Sequence, residues 1–310
     1  MNSIDIRRFE SRAKLLVSGE YLVLKGALSL ALPLKYGQSL TVEEKEGKSM
    51  IRWKSIVKDN LWFTSTILLP GFRVMETNST NISATLCGIL SEAKTLNPNF
   101  LDSPKEYHVI SAMDFLPEWG FGSSSTLISN IAYWADCDPF ELNKLVFKGS
   151  CYDIACARSS FPIIYDTRDS GPVFRKANFH PLFDQQLYFV YLNRKQNSQK
   201  SINGLDLAMV TPNDLHAISE LTSGLENAQN LETFRWLMEL HEEYIGWIIR
   251  KEPVKSLYFD DFKGSLKSLG AWGGDFMLVA SDQSEEYIRN YFNNKNLQTI
   301  FKYGEIVLAS

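Results

Sequence analysis

The run Pro117-Glu118-Trp119-Gly120-Phe121-Gly122-Ser123-Ser124-Ser125-Thr126 constrains this chain more than any other. It follows a strand-like segment, Tyr107 to Met113, and leads into the apolar run Leu127 to Trp134, which reads as a helix. Glycine lets a backbone take positive φ and pass close to a bulky ligand. A helix N-terminus adds unpaired N–H groups and the positive end of a dipole, which together attract phosphate. The serines can cap that helix or reach a magnesium ion beside the phosphates. A plain loop followed by a capped helix would have the same residues, so the segment alone leaves both readings open.

Two common glycine fingerprints do not fit. A Walker A loop needs Lys and then Ser or Thr after its last glycine, whereas Gly122 is followed by serines. The dinucleotide fingerprint needs a third small residue where Ser125 stands, and an acidic ribose ligand about 20 residues on, which is not evident. Phosphate bound here would be bound by another fold.

The 310 residues suffice for one large domain or two ordinary ones, and 45% hydrophobic with 22% charged residues is a soluble globular composition. A net charge of −4 argues against general nucleic-acid affinity, which needs clustered positive charge. Cys87, Cys137, Cys151 and Cys156 show no CxxC pairing, so neither a zinc site nor a disulfide framework is expected. Met1 to Arg8 is not followed by a signal-peptide-like apolar stretch, and the most apolar candidate span, Leu15 to Leu34, is broken by Glu20, Lys25 and Pro33. The expectation is a cytoplasmic protein with reduced thiols, monomeric or homodimeric, with no nucleic-acid or membrane partner.

Residues 8 to 45 read as strands: Ala13 to Val17 up to a Gly19 turn, Tyr21 to Leu24 up to Lys25-Gly26, the apolar Leu28 to Leu34, and the alternating Ser39 to Glu43. Ile51 to Trp53 and Leu61 to Thr64 predict a hairpin, and Ile82, Leu86, Leu90 and Ala93 recur at helical spacing. Asp138 before Pro139 predicts a helix start, and Gly149-Ser150-Cys151 breaks the chain before a short helical segment, Tyr152 to Arg158. Phe161 to Tyr165 returns as a strand, with a boundary near Asn178 to Pro181. Beyond it come the strand Gln186 to Leu192, helices across 211–226 and 230–250, the strand Phe276 to Ala280 and a helix from Ser284 to Asn293. Strands and helices mixed without a steady βαβ repeat make an α+β fold.

Three segments stand in order: Ser11 to Tyr21, the glycine–serine loop, and Gly270 to Asp275. Their order and spacing resemble the GHMP kinases, the small-molecule kinases that include galactokinase, homoserine kinase, mevalonate kinase and phosphomevalonate kinase. The resemblance covers nearly the whole chain and is strongest to the mevalonate and phosphomevalonate kinase branch. Ala13 to Leu24 is similar to its Ala-Lys-Leu-x-x-x-Gly-Glu-Tyr-x-Val-Leu motif, and Trp119 to Ser124 to its aromatic-Gly-x-Gly-Ser-Ser loop. Gly149 to Ala155 resembles its Gly-Ser-x-x-Asp-x-Ala segment and the Gly-Tyr-Asp-Ile-Ala signature of some bacterial members. Tyr21 rather than histidine after Glu20 favours the phosphomevalonate kinases.

The resemblance implies a two-lobed α+β fold. An α/β N-terminal lobe over about residues 1–180 would bind ATP, and a ferredoxin-like C-terminal lobe would cover 181–310. It implies magnesium-dependent transfer of the γ-phosphoryl group of ATP to a small alcohol or phosphate acceptor, mevalonate or phosphomevalonate favoured. Gly120, Gly122, Ser123, Ser124 and Ser125 would wrap the ATP phosphates, with Ser124 as magnesium ligand. Asp153 falls at the catalytic aspartate, where a carboxylate accepts or orients the proton of the attacking hydroxyl. Lys14 matches the lysine that approaches the reacting oxygens, stabilises their charge and keeps Asp153 ionised. Glu20 would be an orienting partner in the substrate site, and Gly273 and Gly274 would support the phosphate loop and acceptor pocket.

Taken singly, each residue has an ordinary reading. Lys14 could be a solvated strand lysine, Asp153 a helix cap, Ser123 to Thr126 only caps, and Gly273-Gly274 a turn. A kinase for a sugar or another alcohol is the same-class alternative, and a non-catalytic ligand- or protein-binding member the different-class one. Asp153 in its kinase-like segment disfavours a decarboxylase relative. Cys151 replaces the usual glycine and is expected to alter the backbone before Asp153. Trp272 replaces a small residue and is expected to crowd the loop or the acceptor pocket. Glu118 sets a negative charge beside the triphosphate unless it points away, and no glutamate sits clearly where mevalonate kinases use a second magnesium ligand, although Glu141 is in the vicinity.

Overall fold

Alternation of apolar and polar residues builds the first sheet. In a computed structural model of the chain, which describes residues 5–147, 149–167, 171–194, 207–270 and 272–308, two compact units form. One comprises Met1–Ala13, Tyr36–Pro117 and Phe121–Arg158, and the other Lys14–Lys35, Glu118–Gly120 and Ser159–Ser310. Two long strands, β1 (Asp5–Ser18) and β2 (Ser29–Glu46), contribute residues to both.

In the first unit β3 (Met50–Val57), β4 (Asn60–Leu68) and β5 (Arg73–Thr77) form an antiparallel meander. β6 (Lys105–Met113) lies parallel to β3 and antiparallel to β2. Tyr107, Val109, Ser111 and Met113 of β6 point into the core, and the intervening residues do not, the pattern of a half-buried strand. Four helices complete the unit: α1 (Thr80–Leu96), α2 (Ser123–Ala135), α3 (Pro139–Val146) and α4 (Tyr152–Ala157). Leu86, Leu90 and Ala93 of α1 and Ile128, Ile131 and Trp134 of α2 share one buried cluster with Leu40, Ile51, Trp53 and Phe63. Trp134 meets Phe100 edge-on at 4.8 Å. Each buried Leu, Ile or Phe among them contributes about 1.5–3 kcal/mol.

The second unit holds β7 (Ile163–Asp166), paired with β2 at Ser29–Ala31 and with β8 (Val173–Lys176). It continues as β9 (Leu187–Tyr191), α5 (Pro212–Asn227), α6 (Leu231–Ile249), α7 (Val254–Tyr258), β10 (Ser265–Ser268), β11 (Phe276–Ala280), α8 (Glu285–Asn293) and β12 (Ile300–Lys302). The sheet order is β10-β11-β9-β12, with every neighbouring pair antiparallel. β11 is therefore inserted between β9 and β10, which is the split βαβ arrangement of a ferredoxin-like sheet. Thr211 and Asp214 form a capping box at α5, and the Asn230 side chain accepts the Thr233 N–H at α6, so both helices start within a residue of their expected places.

Two expectations change. Tyr21 to Leu24 is not a strand but leads into a 3-10 turn, Leu22–Lys25, because Tyr21 takes a positive φ of 62° before it and Gly26 (φ 96°) ends it in the left-handed conformation. The helix after the glycine loop begins at Ser123, before the apolar run, because the Thr126 N–H already reaches the Gly122 carbonyl. No helix among the described residues is long and apolar enough to cross a membrane.

Candidate active site

In the first unit, Gly122 caps α2 in a left-handed conformation (φ 88°), which places Ser123, Ser124 and Ser125 in the first helical turn. The first turn of an α-helix leaves its N–H groups without internal partners. The three serines then differ. Ser124 is exposed and Ser123 half-buried, whereas Ser125 is buried with its hydroxyl donating to the Gly122 carbonyl at 2.8 Å. Ser123 and Ser124 border a cavity of about 280 Å³ whose walls include Trp53, Trp62, Asn81 and Thr85. An exposed hydroxyl such as that of Ser124 is a hard oxygen donor of the kind magnesium accepts alongside phosphate and water.

A buried polar chain that sequence reading missed supports this helix start. The Thr126 hydroxyl lies 2.5 Å from Gln38 Oε1, and Gln38 Nε2 donates to the Ser111 hydroxyl at 2.6 Å. Asn130 Nδ2 donates to the Gln38 carbonyl, and the Ser11 hydroxyl donates to Asn130 Oδ1, both at 2.8 Å. Such residues stand singly in sequence, with no motif to mark them. Thr126→Val should lower unfolding stability by about 1–3 kcal/mol, the cost of a buried acceptor left unpaired, measured as a shift in the urea midpoint.

Asp138 caps α3 as expected, its side chain accepting the N–H groups of Phe140 and Glu141. Glu141 is exposed and paired with Lys144 at 2.8 Å. Cys151 precedes α4 at φ 69° and ψ 4°, a left-handed conformation that suits glycine. Its thiol is buried and accepts Asn143 Nδ2–H at 3.2 Å, and burial pushes its pKa up, which keeps it protonated. Asp153 follows in the first turn of α4, half-buried, with the Ile154 N–H on its Oδ1 at 3.1 Å.

In the second unit, the Lys14 ammonium is buried and donates to the Gly120 carbonyl at 3.2 Å. Gly120 has φ +70°, and a Cβ there would lie 2.5 Å from the Asp275 carboxyl carbon. The first and third motif segments therefore meet at this glycine. The Glu118 side chain is exposed while its carbonyl accepts the Tyr191 hydroxyl at 3.2 Å. Trp119 is buried edge-on against Phe276 and Phe301. Gly273 has open space where a side chain would project, and Gly274 is buried. The Trp272 indole joins Tyr21, Ile218, Ile245 and Ile249 in a buried cluster and donates to the Glu252 carbonyl at 3.2 Å, so its bulk is absorbed among α5 and α6.

Glu20 is fully buried and paired with Lys267 of β10. Burial, opposed by Lys267, pushes the Glu20 pKa up to about 7. His241 of α6 accepts the Gly19 N–H on Nε2 at 3.0 Å, and burial holds its pKa well below 6.5. The two groups work in opposite directions. Glu20 binds its proton more tightly folded than unfolded, so its contribution is full below about pH 4.5 and lost as pH rises through about 7. His241 resists protonation when folded, so its contribution is present above pH 6.5 and lost as pH falls. Glu20→Gln should remove the first dependence, and the melting-temperature difference between wild type and variant should shrink from pH 5 to pH 8. A constant difference would show that Glu20 does not titrate there.

No protein-family model and no curated protein matches the sequence. Solved structures do match its fold. Mevalonate kinase of L. major in complex with R-mevalonate is 15% identical, with 99% of this chain and 98% of that one covered at a TM-score of 0.67. Streptococcus pneumoniae phosphomevalonate kinase in complex with phosphomevalonate and AMPPNP is 14% identical over 96% and 99% of the chains, TM-score 0.71. Lactococcus lactis galactokinase complexed with galactose is 11% identical over 96% and 93%, TM-score 0.65. The chain has the GHMP kinase fold, a mixed α/β architecture of two sheets. At these identities the likeness establishes the fold and leaves the substrate undetermined.

Proposed function

We propose that this protein is an ATP- and magnesium-dependent kinase that transfers the γ-phosphoryl group to a small alcohol or phosphate acceptor, mevalonate or phosphomevalonate favoured. The start of α2 carries the reading: a left-handed Gly122, a first turn of serines, and a cavity beside them. In this reading the N–H groups of Ser123, Ser124 and Ser125 bind phosphate oxygens, and Ser125 contributes its backbone alone because its hydroxyl is already committed. The indole walls and the amide and hydroxyl of Asn81 and Thr85 suit a nucleobase. Ser124 would hold magnesium, which neutralises charge between the phosphates. Asp153 accepts or orients the proton of the acceptor hydroxyl, and Lys14 stabilises the charge that develops on the transferring oxygens. Glu20, buried and paired with Lys267, would orient the site indirectly rather than touch the acceptor, and Gly273, with open space beside it, and Gly274 would border the acceptor. Residues 1–180 would serve as the ATP-binding domain and 181–310 as the C-terminal one.

ADP release is the deciding measurement, made with ATP, magnesium and in turn mevalonate, phosphomevalonate and galactose. Release with either of the first two supports the reading. Release with galactose alone moves the protein to the sugar kinases. ATP binding with no release on any acceptor makes it a non-catalytic binding protein.

A further inference from the structure

Three consecutive residues after β1 are each tied to a different segment of the second unit. The Gly19 N–H donates to His241 Nε2 on α6, the Glu20 carboxylate takes the Lys267 ammonium of β10, and the Tyr21 hydroxyl accepts the Trp272 N–H at 2.7 Å. Tyr21 at φ 62° holds a backbone that a residue with a side chain seldom keeps unanchored, and Gly19 (φ 84°) supplies the positive φ just before it. Behind them, Glu242 accepts the N–H and hydroxyl of Ser268 and the N–H of Val254, which fixes α6 against the end of β10. Lys267 also donates to the Ser268 carbonyl at 2.9 Å. Lys267, His241 and Glu242 are each at most 2% exposed. None of them belongs to a motif read from the sequence.

A buried ion pair is weak evidence of stability, because taking both charges out of water offsets their attraction. Glu20 Oε2, 3.6 Å from His241 Nε2, and His241 Nδ1 make no hydrogen bond, so the cluster is not optimised as a stabilising element. What it does achieve is registry: it fixes the turn at the end of the strand that presents Lys14 to the Gly120 carbonyl. We propose that Lys267, with His241, is a positioning residue that holds Lys14 in place through the Glu20 turn. The proposal rests on the kinase reading only for what Lys14 then does. The titratable groups packed around the pair are Glu242 and His241, with Tyr21 next to Glu20.

The test compares wild type, Lys267→Met and the double variant Glu20→Met with Lys267→Met. The single variant leaves the Glu20 carboxyl buried without its partner and should lose stability, whereas the double variant leaves neither group unpaired and should recover it. Two further readouts separate positioning from stability. One is the rate at which an amine-reactive ester labels Lys14 in the native protein, followed by mass spectrometry. The other is kcat against the KM for ATP. In the stably folded double variant Lys14 labelling should rise several-fold, and kcat should fall by about tenfold or more with KM for ATP little changed, since small misplacements of reacting groups are costly. A double variant with wild-type labelling of Lys14 overturns the proposal. Labelling needs no turnover, so it decides the point even if the wild type releases no ADP, a result that would count against the kinase reading instead. If the double variant melts as low as the single one, labelling of Lys14 in wild type and His241→Gln at a temperature where both are folded decides it in the same way.

Discussion

Asp153→Asn should slow turnover by about two to four orders of magnitude while ATP affinity stays near wild type. The amide keeps the size of the carboxylate and an oxygen for the Ile154 N–H, so the start of α4 is retained. What it loses is the negative charge that, in the proposed mechanism, accepts or orients the acceptor proton. The proposed phosphate contacts belong to α2, a different helix, so nucleotide binding should not follow the loss. Calorimetric ATP binding and ADP release on the same preparation check both halves. A loss at the lower end of the range would mean that Asp153 orients the hydroxyl, and a loss at the upper end that it takes the proton. Undiminished turnover would remove Asp153 from the mechanism.

The residues that could be read from the sequence are those whose roles are local. Asp138 caps α3 through its own neighbours, and the spacing of Leu86, Leu90 and Ala93 needs only a helix to bury them. The glycine–serine run marks the start of α2 because positive φ at Gly122 and the free first turn are local properties. Lys267, His241 and Glu242 could not be found this way. Their partners lie up to 247 residues away, and a lysine, a histidine and a glutamate on an apolar strand or helix carry no spacing signal. The same holds for Gln38, which supports Thr126 from 88 residues away. Strands β8, β10 and β12, of three or four residues each, are too short for alternation to show. Trp272 misled for a related reason: a large residue in a small-residue motif suggests crowding, but the indole finds its space among Ile218, Ile245 and Ile249. Cys151 shows the reverse case, where an unusual residue adopts the left-handed backbone a glycine would have supplied.

Gly120→Ala should destabilise the protein by about 2–5 kcal/mol, the sum of a left-handed backbone forced on a side chain and of overpacking. The backbone is at φ +70°, and the new methyl would lie 2.5 Å from the carboxyl carbon of Asp275, which is 7% exposed and so has little freedom to retreat. Relief by moving Gly120 is no better, because its carbonyl accepts the Lys14 ammonium and the shift would carry that contact with it. On the proposed kinase reading, loss of stability should therefore be accompanied by slower ADP release. The two causes can be separated with a double-mutant cycle against Asp275→Ala. Steric conflict predicts that Gly120→Ala is less destabilising in the Asp275→Ala background, whereas a purely conformational penalty predicts the same loss in both backgrounds. A Gly120→Ala protein that melts with the wild type would contradict both the left-handed turn and the close approach of Asp275, and with them the meeting of the first and third motif segments at this glycine.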